Sequence, residues 1–268
     1  MIEIKNYNDL DSFPPIVYKY RDWEIDYHKD IILEQTVFLA QPTSFEDPYD
    51  CKLLKRYDLI GEREIFEIYV KDSKTINPLW TRNQHRKYAK DHTKNSPLKN
   101  KEHIKLKQEE HFKQFDVRFG VLSLTANPKR PEMWDKYANK HTGFCVGFDS
   151  KKMFKYFGGG GDVAYYEQLP DILYNDKREE EHFKQVFSKL KKWEFEEEYR
   201  LHKFSLSPLQ EEERKVKLDK ECFKEIIFGY KMNKNDRQNI IDQCNNLNLE
   251  VVFFEEIITN GAILVREM

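Results

Sequence analysis

Apolar residues along the chain alternate over short runs and recur at one-face helical spacing over longer ones. Residues 15–21 (PIVYKYR) are β-branched and aromatic enough to predict a strand, with a helix over 22–35 and a second strand at 36–40 (TVFLA). Residues 41–51 (QPTSFEDPYDC) hold two prolines and three acids, which predicts an ordered loop or turn rather than a helix. Further on, 119–125 (FGVLSLT) predicts a strand, 131–140 a short helix and 143–149 (GFCVGFD) another strand. Phe183, Val186, Phe187 and Leu190 share one helical face, with Asn175 or Asp176 able to cap the start, so this helix should lay an apolar stripe on a sheet. The tail repeats strand, helix and strand at 225–229, 234–247 and 251–254, and a last strand follows at 262–265. No internal repeat or low-complexity linker divides the pattern. The expected architecture is α+β: a single domain over 1–268 with a mixed, mainly antiparallel sheet flanked by helices and interrupted by a helical insertion.

That insertion, about 71–118, is where composition changes the picture. It holds thirteen Lys or Arg against six Asp or Glu, plus four histidines, with few apolar anchors. A solvated helical hairpin accounts for it plainly, and a surface for RNA, another polyanion or a partner protein is the functional alternative. The whole chain is nearly neutral, 45 basic against 47 acidic residues, so no global field points to nucleic acid or membrane. Cys51, Cys145, Cys222 and Cys244 lie far apart, without CxxC or zinc spacing, which suggests free thiols in a reducing cytoplasm. The first residues lack the basic and apolar regions of a signal peptide, and no eighteen apolar residues run together, so a cytoplasmic protein without a membrane span is expected. Residues 158–161 (GGGG) are followed by no Lys-Ser/Thr and no evident helix start, and read as a flexible turn rather than a phosphate cradle.

The stretch KKWEFEEEYRL at 191–201 concentrates four carboxylates among three aromatic residues. A solvated helix end would explain them. If instead the helix stops near Trp193 and a strand follows, Glu196, Glu198 and Arg200 share one face, and Glu197, Tyr199 and Leu201 the other. Two carboxylates on one strand face form an orientable acid pair.

Five blocks in order, YKYR at 18–21, FEDPYD at 45–50, MWDKYA at 133–138, HTGFCVGF at 141–148 and WEFEEEYR at 193–200, resemble the bacterial family called domain of unknown function 2971. Glu46 stands where that pattern leads one to expect asparagine, and the insertion is longer than expected. The layout, with an early aromatic-flanked polar strand, a middle strand with Ser123 and a late Glu-x-Glu, is similar to ADP-ribosyltransferase-like proteins. That resemblance implies Glu198 as the catalytic carboxylate with Glu196 as its partner. It implies NAD as substrate, held by Lys19, Tyr20, Arg21, Ser123, Trp134, Tyr137 and Arg200, with Asp47, Asp50 and His141 toward the acceptor. Lys19 occupies a position that such transferases give to histidine or arginine, and Arg21, on the same strand face, could serve instead. Cleaving the nicotinamide–ribose bond builds oxocarbenium charge that a fixed carboxylate stabilises, while a second carboxylate deprotonates the acceptor. A role in bacterial stress or phage defence follows from the same resemblance. Two other readings stay open: a metal-dependent nuclease or phosphodiesterase, with Asp47, Asp50, Glu196 and Glu198 converging on magnesium or manganese, and a non-enzymatic binding or sensing module in which these charges merely pair.

Overall fold

The structure, a computed structural model, describes residues 13–268. Its fold is α+β, built on eight strands: β1 (Ile16–Arg21), β2 (Phe119–Thr125), β3 (Phe144–Asp149), β4 (Gly160–Asp162), β5 (Glu198–Phe204), β6 (Phe223–Phe228), β7 (Val252–Thr259) and β8 (Ala262–Glu267). Their spatial order is β8-β7-β6-β3-β1-β2-β5-β4. Every neighbouring pair is antiparallel except β6 and β7, which are joined through the helix Lys234–Asn246, because a parallel pair needs a crossover. Alternation sorts the side chains onto two faces. Val17, Leu122, Val146, Phe148, Leu201 and Ile226 enter the main core with Ile31 and Ile32 of the helix Asp26–Leu33, while Tyr20, Cys145 and Ile227 pack with Trp134 and Ile263 in a second cluster.

One irregularity positions the site. β1 and β2 are joined by a single residue pair, Tyr18 with Thr125, and the strands part beyond it. β1 keeps its full pairing with β3, from Ile16 through Arg21, so its far edge is secure while the edge facing β2 opens. The segment after the short strand Thr36–Phe38 occupies the space, its Ala40 bridging to Val121 of β2. This brings the loop containing Asp47 and Asp50 between the two strands.

This sheet and its helices form one compact unit, of the described residues through Asp50, Asp116–Leu169 and Phe187–Met268. A second comprises Cys51–Phe115 and Pro170–Val186. Here the expected insertion is helical, with Glu62–Ile76 and Arg82–Lys94 connected by a turn. The side chain of Glu64 accepts the Gly61 amide and that of Gln84 the Thr81 amide, satisfying donors that a helix start leaves free. The unit is tied inside by a buried Ser73–His85 hydrogen bond of 2.8 Å and by the parallel strand pair of Lys55–Arg56 with Ile172–Leu173.

Several strands match expectation closely, and two segments do not. The glycine run is no loose turn: Gly158, at φ 75°, ends the helix Ser150–Phe157, and Gly160 begins β4. A Cβ on Gly160 would lie 2.3 Å from the Arg200 carbonyl oxygen, so only glycine lets this edge strand approach β5. The acidic stretch also folds otherwise than expected. The preceding helix ends at Phe187 rather than near Trp193, and Ser188–Leu190, including the supposed helical Leu190, pairs in parallel with Ala164–Tyr166. Lys191–Glu196 then coils as a 3-10 helix, and Glu197, at φ 42°, reverses the chain so that β5 starts at Glu198. Glu196 and Glu198 are therefore not strand neighbours on one face. Asp176, suggested as a cap, instead accepts from the Leu173 amide at 2.8 Å and Lys184 at 2.7 Å.

Candidate functional site

A cavity of about 760 Å³ lies where β1 and β2 part. Lys19, Tyr20 and Arg21 line it from β1, Ser123 and Thr125 from β2, and Asp47 and Asp50 from the intervening loop. Tyr137, Glu196 and Glu198 complete the acidic end. Two carboxylates that sequence alternation would put on one strand thus still meet, each delivered by a different element.

At that end the charges form a closed network. Arg200, fully buried, donates from Nε to Glu198 Oε1 at 2.7 Å and from Nη2 to Glu198 Oε2 at 2.9 Å and Asp50 Oδ2 at 2.7 Å. Lys189 Nζ reaches Glu198 Oε2 at 3.0 Å, Asp50 Oδ2 at 3.4 Å and also Glu196 Oε2. Tyr137 donates its hydroxyl to Glu196 Oε1 at 2.6 Å. Such a network is worth keeping only when every partner is present, because a buried charge left alone is costly.

Burial and partners push the two acids apart. Burial alone would raise Glu198, but Arg200, Lys189 and a hydrogen bond from Ser123 hold it well below the usual carboxylate range. For Glu196, burial and the neighbouring Glu198 charge prevail over Lys189 and Tyr137 and raise it. Glu198 thus gives up its proton more readily than a free glutamate and Glu196 less readily, a division that acid–base sites employ. Lys189, which burial would discharge, is kept protonated by Glu198, Asp50 and Glu196.

The β1 wall is the opposite case. Lys19 Nζ donates to the Ser123 carbonyl at 2.6 Å, Arg21 bonds only the Tyr20 carbonyl at 3.3 Å, and neither forms an ion pair among the described residues. Burial, with the Arg21 charge adding to it and the Glu198 and Glu196 charges opposing, brings Lys19 down to about 7, and burial brings Arg21 down to about 10. Two cations facing a cavity without a carboxylate partner suit an anionic ligand.

The remaining candidates lie elsewhere. Trp134 is buried behind Tyr20, ring centroids 5.0 Å apart, with Nε1 donating to the Pro128 carbonyl. His141 is held by Glu256 at 2.7 Å and Asp135 at 3.3 Å, outside the cavity lining. Arg200 stands behind the acids rather than in the lining. Lys189 and Trp193, both in the wall, were not singled out as site residues by the sequence: among Lys191 and Lys192, Lys189 reads as part of a solvated run. Its signal was placement directly after the buried Val186, Phe187 and Ser188.

For a divalent metal the donor set is unsuitable. Asp50, Glu196 and Glu198 do converge, but on the Lys189 ammonium and Arg200 guanidinium, and among the described residues no group of three or more His, Cys, Asp or Glu is disposed to hold a metal ion. No helix among them is long and apolar enough to cross a membrane.

Fold and site together define an α+β protein whose central sheet opens into a charge-lined cleft. The family model described as "Protein of unknown function (DUF2971)" matches residues 133–201, about a quarter of the chain. That span carries Tyr137, Lys189, Glu196, Glu198 and Arg200, the whole acidic end except Asp50. No curated protein and no solved structure matches the chain.

Proposed function

We propose that the cleft cleaves the nicotinamide–ribose bond of NAD, passing the ADP-ribosyl group to water or to an acceptor. The observation that carries this reading is the pair of acids with proton affinities shifted in opposite directions, lining one cavity with two cations that have no ion-pair partner among the described residues. The dinucleotide's phosphates suit Lys19 and Arg21, and its ribose suits the acidic end. As the C1–N bond breaks, its electron pair leaves with nicotinamide and positive charge grows on the ribose, where Glu198, its carboxyl held below the usual range, stabilises it through space. Both acids are hydrogen-bonded, Glu198 by Arg200 and Lys189 and Glu196 by Lys189 and Tyr137; Glu198, held below the usual carboxylate range, acts electrostatically, and Glu196, raised above it, is the better proton acceptor. Glu196 takes the proton from the attacking hydroxyl, and Tyr137 orients its carboxylate. In the bacterial setting that the sequence blocks suggest, consuming NAD would serve stress response or phage defence.

The test is nicotinamide release from NAD. Glu196→Gln should lower it by about 10²–10⁴-fold, the usual worth of a positioned acid–base group. Equal release by the wild type and Glu196→Gln, or no release and no NAD binding by folded wild type, refutes the reading.

A further inference from the structure

We infer that Asp47 is a cation subsite, so that the cleft takes a zwitterionic ligand, anionic against Lys19 and Arg21 and cationic against Asp47. Asp47 is 3% exposed and lines the cavity. Its Oδ1 accepts the Tyr49 amide at 3.2 Å, whereas its buried Oδ2 has no hydrogen-bond partner. Among the described residues no Lys, Arg or His forms an ion pair with it. Asp50, three residues on in the same loop, also has one buried oxygen without a hydrogen-bond partner, Oδ1, but its charge is compensated: its Oδ2 meets Arg200 at 2.7 Å and Lys189 at 3.4 Å. A carboxylate removed from water without a cation costs several kcal/mol, which a cationic ligand would offset.

The surroundings specify the cation further. Tyr20, Phe45 and Trp193 line the same cavity; Lys136, Lys189 and Lys192 already lie over the Trp193 ring and Arg200 over Phe45, which leaves Tyr20 as the aromatic wall, and aromatic faces favour flat, weakly hydrated cations over compact ammonium. The ligand class is thus an organic cation of planar, delocalised charge that also carries phosphate. Oxidised nicotinamide dinucleotide meets both requirements, and its reduced form, with a neutral ring, meets one. For the ligand's name alone this inference rests on the proposed function; the subsite stands on Asp47 itself.

Calorimetry on the full chain tests both levels. Benzamidinium probes the cation subsite and inorganic pyrophosphate the opposite wall, with wild type, Asp47→Asn and Arg21→Gln compared. Asparagine retains the acceptor for the Tyr49 amide, so an unchanged melting temperature certifies the loop. Benzamidinium binding should be lost in Asp47→Asn and kept in Arg21→Gln, with pyrophosphate behaving in reverse. Oxidised dinucleotide should bind wild type at least about tenfold more tightly than reduced, a preference worth about 1.4 kcal/mol, and Asp47→Asn should erase it. Benzamidinium binding that is absent in wild type or untouched by Asp47→Asn overturns the subsite. Asp47-dependent benzamidinium binding without any dinucleotide binding keeps the subsite and overturns the NAD reading. Equal affinity for the two dinucleotides overturns the assignment of the pyridinium to Asp47.

Discussion

The two walls of the cleft treat charge in opposite ways. Around Lys189 and Arg200 each cation is met by at least two carboxylates, and the groups are nearly all removed from water. On β1, Lys19 and Arg21 have only backbone carbonyls, and Asp47 in the facing loop has only a backbone amide. In the first arrangement every charge has its counter-charge without a ligand, and Asp50 Oδ1 is left without a hydrogen-bond partner. The second is complete only with a ligand. Where counter-charges are in place, they hold the reacting acids in position; where they are missing, charge marks recognition.

The contrast can be broken most directly at Glu198. Glu198→Ala leaves Lys189 and Arg200 short of a buried counter-charge and should cost about 3–5 kcal/mol of stability, read from the denaturant midpoint. Arg21→Met, by comparison, should leave that midpoint unchanged or raised while removing pyrophosphate binding. A large loss of stability in Arg21→Met would show that the β1 wall is structural after all. A third effect is a pH dependence. Folded Lys19 binds its proton more weakly than the unfolded side chain, at about 7 against 10.5, so stability should rise as pH climbs from about 7 toward 10.5. Over the same start of the range, anion affinity should fall as Lys19 loses its charge. Lys19→Met should flatten both profiles, and Lys19→Arg should flatten the affinity profile while preserving binding.

Much of the fold was legible because its strands obey a local rule. β2 runs over the very residues, 119–125, that the alternation predicts, and β3, β6, β7 and β8 depart only at their ends. The acidic stretch was not legible, because its geometry is set by partners distant in sequence: Ala164–Tyr166 captures Ser188–Leu190, and β2 captures β5. Period-two alternation placed Glu196 and Glu198 together, and they do face one cavity, yet through a left-handed reversal at Glu197 that no periodicity encodes. Lys189 was missed for a related reason. A lysine declares itself a network centre only when three carboxylates from a loop, a 3-10 turn and a strand arrive around it. His141 misled in the opposite direction, since its polar neighbours, Glu256 and Asp135, fix the turn after the helix Pro131–Tyr137.

The single pairing of Tyr18 with Thr125 carries one more consequence. A strand in the middle of a sheet ordinarily has both rows of peptide groups committed, and only outermost strands offer theirs to visitors. By parting from β2 after one pair, β1 presents an edge in the interior, shielded from other chains by the surrounding sheet and open only to what fits the cleft. An edge enclosed in this way escapes the aggregation hazard that an exterior edge brings.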